Sequence, residues 1–435
     1  MNNLRTITLS LVALCCAATL NAQTTKVYIT GSTAYRSAVH TAIQNIFDSP
    51  PTFAFSNNST SVGGANQAIF TGNISTLPYQ ISTSWSGSEA GIQTVADATQ
   101  NVNYIADGTV GSLSPGTSVP AGTEAHHPDV AMSDTFQSTS QFNGTFNGVT
   151  YASLTESAGT SAGHGSPVGI VPFKWCANNG ATISNITSQM CRMLYGNGKV
   201  PLALFTGASA DETKPVVPLG RNPDSGTRLT AFAESGIGAL STVKQFQPQD
   251  SASALVKATT ATITKFVVWP AENINGVPVS AFNSGYSSGG DLSKAMRAAI
   301  SDPVSVTIGV TTRTYSAATQ PLTRIAYLGT GDADSNLLNA GGPPNPGVEL
   351  SYNGVLLGNV GGNYNNVTAL TEGQYTFWGF EHLLYNASTI VGAVQTAADK
   401  LATQLHDTDA VVRLSNMKVT RATDGANVTA SYAAP

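Results

Sequence analysis

The segment Arg221–Thr227, Arg-Asn-Pro-Asp-Ser-Gly-Thr, runs directly into the amphipathic stretch Arg228–Glu234. A polar turn followed by helical periodicity predicts a helix that opens on Ser-Gly-Thr. The N–H groups of a helix's first turn lack internal partners, and the helix dipole favours negative charge there. The segment therefore predicts a site for a small tetrahedral anion, with donors from Arg221, Ser225, Gly226 and Thr227.

The start of the chain after residue 22 shows a similar pattern. Lys26–Thr30 alternates with β-branched residues and predicts a strand. Gly31–Thr33 then forms a tight turn before the helical pattern of Ala34–Phe47, with Ser32 or Thr33 expected as the helix cap. A strand, a Gly-Ser-Thr turn and a helix form a second anion-binding geometry, although an ordinary capped helix has the same sequence.

Two more segments fit this picture. Ser84–Val95 places small polar residues before a helical pattern, and it presents the Ser88 hydroxyl at the start of that helix. Asp129–Asp134 is a short apolar strand that ends in a carboxylate. An acid beside an anion site is useful when the anion carries a proton, because the carboxylate can accept that hydrogen bond.

Composition limits the class of protein. The chain has 435 residues, of which 41% are hydrophobic and only 10% charged, with a net charge of −5. That length allows two lobes, and the apolar periodicity argues against disorder. Since the chain is acidic and has no cluster of Lys and Arg, nucleic acid is excluded as an expected partner.

The N-terminus predicts a signal peptide over residues 1–22. A short cationic head precedes the apolar run Thr6–Leu20, and Leu20–Ala22 is a plausible cleavage site. The run is too short to span a membrane comfortably, so we expect no membrane span in the mature chain. The mature protein is expected in the periplasm or outside the cell.

Two cysteines remain after cleavage, Cys176 and Cys191. In an oxidising compartment a pair is more often bridged than free, so a Cys176–Cys191 disulfide is expected. The alternative is two buried thiols that pack as small hydrophobic side chains.

The four polar segments, in this order, resemble the phosphate-binding substrate-binding proteins of ABC transporters. The matching residues are Gly31–Ala34, Gly87–Gly91, Ala131–Asp134 and Arg221–Thr227. Weaker likenesses at Ile183–Gly196, Arg324–Leu328 and Tyr375–Leu384 extend the resemblance over most of the mature chain. Only the Arg-to-Thr segment is specific, and the other segments gain weight from their order.

This resemblance implies the ligand, the partners and the site. It implies that the protein captures inorganic phosphate or a similar oxyanion and delivers it to an ABC permease. Such a protein is not an enzyme, needs no cofactor or metal, and is expected to be a monomer. Asp134 would accept the phosphate proton, which would select phosphate over fully ionised sulfate. The implied ligand-binding residues are Thr33, Ala34, Ser88, Asp134, Arg221, Ser225, Gly226 and Thr227.

The chain departs from the family pattern at several places. Pro223 stands where the family has an acid, and Asp224 follows one place later, which leaves the partner of Arg221 open. Glu89 follows Ser88 where the family has a small residue, and its charge would repel an anion unless it points away. Residues 40–84 and 99–128 are longer than their counterparts, rich in small polar residues and without an assigned role.

Other motifs are read as structural. Gly159–Gly163 matches Gly-x-Ser-x-Gly, but its Ser/Gly-rich surroundings favour a loop, and no catalytic residue is expected. Asp332–Asn336 begins like a calcium loop, yet Leu337 stands at the required glycine, so a solvated loop is expected. His126 and His127 are adjacent in a loop and cannot easily share one metal.

The alternation of short strands and helices predicts an α/β protein. The resemblance implies the two-lobed type II periplasmic-binding-protein fold, with mostly parallel sheets and a hinge. Lobe one would contain residues 24–166 and 326–435, and lobe two residues 167–325, with the ligand between them.

Two alternatives to phosphate capture stay open. The same fold could bind another oxyanion or a small organic acid, as the departures at Glu89 and Pro223 suggest, together with Ala34, which stands where the family has Phe. It could also be a surface or adhesive protein in which the site is vestigial and the long polar insertions do the work.

Overall fold

The computed structural model describes residues 23–157, 159, 167–339, 346–358 and 368–430. The predicted signal peptide, residues 1–22, lies outside the described residues, and so does most of the Gly159–Gly163 motif. None of the helices within the described ranges is long and apolar enough to cross a membrane.

Strands make up much of the described chain. The first thirteen are β1 Thr25–Gly31, β2 Thr52–Ser56, β3 Gln67–Ile74, β4 Leu77–Ser84, β5 Val102–Tyr104, β6 Thr117–Val119, β7 Glu124–His126, β8 Val130–Ser133, β9 Gly144–Phe146, β10 Val149–Tyr151, β11 Thr155–Glu156, β12 Gly169–Ala177 and β13 Asn185–Ile186. The others are β14 Val200–Pro201, β15 Pro215–Pro218, β16 Phe246–Gln249, β17 Thr262–Val268, β18 Glu272–Ile274, β19 Val277–Val279, β20 Ala299–Ile308, β21 Thr311–Tyr315, β22 Thr323–Gly329, β23 Val348–Tyr352, β24 Trp378–Tyr385, β25 Val419–Thr420 and β26 Thr429–Ala430.

Helices cover the sheets and connect their strands. Those of the described ranges are α1 Arg36–Ile46, α2 Ser88–Ala96, α3 Ser188–Asn197, α4 Ala203–Thr206, α5 Gly226–Glu234, α6 Gly289–Arg297, α7 Thr330–Asp332, α8 Thr368–Thr371 and α9 Gly392–Gln404.

One large sheet joins most of the molecule. Its main path is β14-β15-β22-β12-β24-β8-β1-β4-β3-β2-β6, and β11, β13 and β23 pair at its side. A separate four-stranded sheet has the order β16-β17-β20-β21. The α/β class is therefore confirmed, but the large sheet is mixed. The expectation of mostly parallel sheets is wrong, because hairpins such as β3–β4 and long antiparallel pairs such as β12–β22 contribute most of the neighbours.

Strand β12 links two parts of this sheet. Its first half, Gly169–Pro172, pairs with β24, and its second half, Phe173–Ala177, pairs with β22. All nine residues are buried. The predicted lobe boundary at 325/326 falls inside β22, and the division into residues 24–166 with 326–435 and 167–325 stays a prediction.

Two cores stabilise these layers. The larger lies between the large sheet and the apolar faces of α1, α3, α5 and α9. The smaller lies between α6, the four-stranded sheet and the strands β15 and β22. The first segment read as an insertion is part of this framework, since residues 52–84 form three neighbouring strands of the large sheet. In the second segment, β6 joins the edge of the same sheet, whereas β5 and β7 form a separate two-stranded sheet.

The β3–β4 hairpin shows why these strands escaped the sequence analysis. Its two-residue turn is Ser75-Thr76, and both residues have positive φ, which usually calls for Asn or Gly. The Asp48 carboxylate accepts hydrogen bonds from both turn N–H groups, at 2.9 and 2.7 Å. A distant side chain thus stabilises a turn whose own residues give no signal.

The two cysteines are separate, which corrects the expected disulfide. Cys176 and Cys191 are free and fully buried, the first in the smaller core and the second in the larger. They pack as small hydrophobic side chains, and burial raises the pKa of both thiols.

We expect thiol titration to show this directly. The chain from Gln23 onward contains two cysteines, so denaturation without reductant should expose two titratable thiols per chain, and the native protein should react slowly. A count of zero after denaturation would instead show a disulfide.

Candidate functional site

Three predicted site residues follow neighbouring parallel strands. β1 lies between β4 and β8 and is parallel to both, so the carboxyl ends of the three strands meet at one edge of the sheet. Ligands of α/β sheets commonly bind at such an edge. The residues just after these strand ends include Thr33, Ser88 and Asp134.

A second pair of parallel strands brings in two more charged groups. β15 and β22 are parallel neighbours. Arg221 follows the carboxyl end of β15, and Asp332 follows the carboxyl end of β22. The sheet thus places both side chains at the end of its strands, as it does with the first set.

The carboxylate of Asp134 lies where two helices begin. The Ser88 hydroxyl, at the start of α2, donates to Asp134 Oδ1 and also accepts from the Asp134 N–H at 3.1 Å. The Thr227 hydroxyl, in the first turn of α5, donates to Asp134 Oδ2 at 3.3 Å. All three side chains are almost fully buried. A carboxylate held by the starts of two helices is in the environment that suits a negative charge.

Gly226 allows this close approach. A Cβ atom on Gly226 would overlap Asp134 Oδ1 and lie 2.7 Å from Ser88 Cβ. Only glycine lets the first turn of α5 lie this near the carboxylate, whereas the sequence predicted that Gly226 would allow close approach to a bound anion.

The loop before α5 also contacts the start of α2. The N–H of Glu89 donates to the carbonyl of Asp224 at 3.0 Å. Gly87, which precedes α2, has φ of +112°, and a Cβ there would overlap the same carbonyl. Asp224 therefore contributes through its backbone, and its carboxylate accepts from Asn275 at 3.1 Å.

Ser225 and Arg221 complete the α5 side of the site. The Ser225 hydroxyl caps α5 by accepting from the Arg228 N–H at 3.3 Å. The Arg221 guanidinium is buried and donates to the carbonyls of Tyr286 and Ser287 at 3.0 and 2.8 Å. Burial lowers the pKa of Arg221, and the negative charges of Asp332 and Asp134 oppose that shift.

Thr33 and Ala34 lie in a polar cleft of about 710 Å³ beside these groups. Its wall includes Arg36, which forms an ion pair with Asp332 at 3.2 Å. Asp332 also packs against the start of α6, where a Cβ on Gly289 would overlap its carboxylate and lie 3.4 Å from Arg221 Nη1. Asp332 therefore lies between the cleft and the buried guanidinium of Arg221.

Two residues of this cleft were missed by the sequence analysis. Arg36 opens α1 and was not considered, and Asp332 was placed in a solvated loop. That loop prediction is wrong, since residues 330–338 are helical and Asp332 is buried. The signal in the sequence was the position of Asp332, a few residues after Arg324–Leu328, the segment that resembles a strand of the family. The expected caps of α1, Ser32 or Thr33, are also wrong, because Tyr35 precedes the helix without a side-chain cap.

Buried acids surround Asp134. Burial raises the pKa of Asp134 to about 6, that of Asp224 to about 7 and that of Glu89 to about 8, although hydroxyl donors or Arg221 oppose each shift. Glu89 points away from Asp134's donors and accepts from Thr135 and Ser140 at 2.9 and 2.6 Å. Its extra charge is thus neutralised by protonation and hydrogen bonding near pH 7.

The structure brings the predicted residues together in two groups. Ser88, Asp134, Gly226 and Thr227 are in direct contact, with Ser225 next to them in the chain. Thr33 and Ala34 line the cleft with Arg36 and Asp332. Arg221 acts electrostatically on both groups through Asp134 and Asp332.

Comparisons with known proteins give a distant structural likeness. No protein-family model and no curated protein matches the chain. Of six solved structures that resemble it, five are described as phosphate-binding or phosphate transport proteins, two of these as putative or possible, and the sixth as PstS; the six cover 83–89% of this chain.

Three of these structures come from different bacteria. A putative phosphate ABC transporter substrate-binding protein with bound phosphate from Clostridium perfringens is 11% identical, with 88% of this chain and 97% of that chain covered and a TM-score of 0.42. An ABC-type phosphate transport receptor from Vibrio cholerae is 9% identical, with 88% and 96% covered and a TM-score of 0.38. PstS from Borrelia burgdorferi is 12% identical, with 89% and 97% covered and a TM-score of 0.34. At these TM-scores the contacts described above, and not the likeness, define the candidate site.

Replacing Gly226 with alanine should damage this site. The new methyl group overlaps the Asp134 carboxylate, so α5 or Asp134 must move, at a cost of about 1–3 kcal/mol in the free energy of unfolding. Gly196→Ala is the matched control, because this exposed helical glycine has open space around its Cβ position and alanine should stabilise by about 0.5–1 kcal/mol. Urea denaturation measures both; equal effects would contradict the crowding at Gly226.

The buried acids predict a pH dependence. In an unfolded chain carboxyl groups release their protons near pH 4, while Glu89 and Asp224 keep theirs to about pH 8 and 7 in the folded state. The folded state then binds more protons, so the free energy of unfolding should fall as pH rises from 6.5 to 8. The range from pH 6.5 to 8 avoids the effect of His40. Burial lowers the pKa of His40 to about 3, and below pH 6.5 this shift changes the free energy of unfolding in the opposite direction.

Glu89→Gln should reduce the slope of this dependence, since the amide cannot titrate, and the part that comes from Asp224 should remain. Glu212→Gln, at an exposed position, should leave it unchanged. The measurement is urea denaturation at pH 6.5, 7.2 and 8. A stability that rises over this range in the wild-type chain would show that the acids are ionised when folded.

Proposed function

We propose that this chain captures inorganic phosphate as a secreted or periplasmic binding protein. The observation that carries the proposal is the meeting of two helix N-termini, α2 and α5, at the Asp134 carboxylate, with the Ser88 and Thr227 hydroxyls as donors. Helix N-termini and hydroxyls suit an oxyanion, and a carboxylate among them suits an oxyanion that still carries a proton.

Phosphate fits this donor and acceptor set better than sulfate. Near pH 7 phosphate keeps at least one proton, and the Asp134 carboxyl, with a pKa of about 6, is mostly ionised and able to accept it. Sulfate has no proton to offer, so its oxygens would face the carboxylate without a hydrogen bond. Arg221 supplies a buried positive charge that acts on the Asp134 carboxyl.

We further propose that binding occurs between two lobes and serves an ABC permease, without catalysis. The strands β4, β1 and β8 would carry the lobe-one residues, and β15 and β22 the lobe-two residues. Because β22 and β23 both pair with the second half of β12, we place the return to lobe one near β24 and not at 325/326. In this structure the Thr227 hydroxyl already contacts Asp134, so the lobes would have to open to admit the ligand and then close over it again.

Calorimetric titration tests the ligand. Phosphate should bind the chain lacking residues 1–22 one to one at pH 7, and sulfate should give no heat. Arg221→Ala should weaken phosphate binding by roughly 10- to 100-fold, because a charged hydrogen bond is worth about 1.5–3 kcal/mol. Arg313→Ala, on exposed β21, is the matched control and should bind normally. No heat of binding with either phosphate or sulfate would contradict the proposal.

Asp134→Asn tests the selectivity. An amide can donate to a fully ionised oxygen, so the variant should lose the preference for phosphate and gain sulfate binding. Unchanged selectivity in a folded variant would remove Asp134 from the recognition of the proton.

A second candidate follows from the size of the cleft. The volume of about 710 Å³ is more than one phosphate ion fills, and the wall contains Arg36, Lys294 and several Asn and Ser side chains. These groups would suit another oxyanion or a small organic acid with a polar body. Competition titrations with such acids, in the presence and absence of phosphate, distinguish the two candidates.

A further inference from the structure

Outside the proposed anion site, residues 102–126 bring three metal-ligating side chains together. β5 and β7 form a two-stranded antiparallel ribbon in which Tyr104 pairs with Glu124. Glu124 and His126 are two residues apart on β7, so their side chains share one face. Asp107 follows β5 in the next turn, and its N–H donates to Glu124 Oε2 at 2.8 Å.

We propose that Asp107, Glu124 and His126 form a binding site for a divalent transition metal ion, with Zn²⁺ as the best fit. One ligand atom from each residue lies within 4.8 Å of the other two. Glu124 Oε1 is 2.9 Å from His126 Nε2. Around a tetrahedral zinc ion, with bonds of about 2.0–2.2 Å, ligand atoms are roughly 3.4 Å apart, so small side-chain shifts complete the geometry.

The second oxygen of each carboxylate is already held by the protein. Gln80 Nε2 donates to Asp107 Oδ1, and the Asp107 N–H holds Glu124 Oε2. These hydrogen bonds orient Asp107 Oδ2 and Glu124 Oε1 toward the imidazole. Partners of this kind fix the orientation of metal ligands and raise affinity.

Aromatic rings fix the imidazole. The Tyr28 ring stacks on His126 with centroids 4.2 Å apart and an angle of 14° between the planes. The Tyr28 hydroxyl lies between two of the ligands, 2.9 Å from Asp107 Oδ2 and 3.3 Å from His126 Nε2.

A buried polar group without a partner lies beside these rings. Tyr104 packs against both, with centroids 5.1 Å from Tyr28 and 6.4 Å from His126. Its fully buried hydroxyl has no hydrogen-bond partner within the described ranges. A polar atom left unsatisfied in this way is costly, and the carboxylate that acts electrostatically on this hydroxyl is that of Asp129.

A positively charged side chain already lies at one edge of the proposed metal site. The Lys26 ammonium forms an ion pair with Asp107 Oδ2, and the Lys26 side chain is 47% exposed. It can therefore turn into solvent when a metal ion binds. The ligand set has one imidazole nitrogen and two carboxylates, which favours Zn²⁺ over the all-oxygen ligation preferred by Ca²⁺ and Mg²⁺.

Titration with ZnCl₂ in a phosphate-free, non-chelating buffer tests the proposal. The chain lacking residues 1–22 should bind one zinc ion, and thermal unfolding should move to higher temperature. His126→Ala should weaken zinc binding at least about tenfold. His127→Ala is the matched control, because the His127 ring contacts the carbonyl of Gln100 at 2.8 Å instead.

Two further variants keep the test decisive. Glu124→Gln keeps the side-chain volume and should also weaken zinc binding, which covers the case of an unfolded His126 variant. Lys26→Met removes the competing ammonium and should strengthen binding. No zinc binding by the wild-type chain, or an equal loss from His126→Ala and His127→Ala, would overturn the site. Phosphate binding is independent of these residues, so either proposal can fail alone.

Discussion

The hydrogen bonds from Ser88 and Thr227 to the Asp134 carboxylate join the parts of the protein that carry the site. Ser88 belongs to the helix after β4, Asp134 follows β8, and Thr227 belongs to the helix after β15. A buried carboxylate is costly unless it is well hydrogen-bonded, so the two helices must begin where they do. Gly226 lets α5 begin this close to the carboxylate because it has no Cβ atom.

The same burial sets the electrostatics of the region. Burial raises the pKa of Asp134, Asp224 and Glu89, and Asp424 raises that of Asp134 further through its charge. Arg221 opposes the shifts of Asp134 and Asp224. The region therefore balances desolvated acids against buried guanidinium groups, among them Arg221. Glu89 is compatible with this balance because its hydrogen bonds direct it elsewhere.

Local patterns were predictable where the chain's neighbours along the sequence decide the structure. Ser-Gly-Thr before an amphipathic run predicted α5, and β-branched alternation predicted β1. Asn353 and Gly354 have the positive φ angles that an Asn-Gly hairpin turn requires, which the residue types alone predict. By contrast, the Ser75-Thr76 turn depends on Asp48, 27 residues earlier, and the arrangement of Asp107 with His126 depends on the pairing of β5 with β7. Such long-range contacts leave no periodic signal.

The sequence by itself determined the α/β class, the strand-turn-helix units and the residues able to donate to an anion, because propensity, capping and glycine geometry act over a few residues. Only the tertiary structure decided the mixed order of the large sheet, the separate burial of Cys176 and Cys191, and the placement of Asp332 beside Arg36. These depend on which strands become neighbours. The pairing of strands is decided by the packing energy of the whole core, and no short segment of the sequence carries that information.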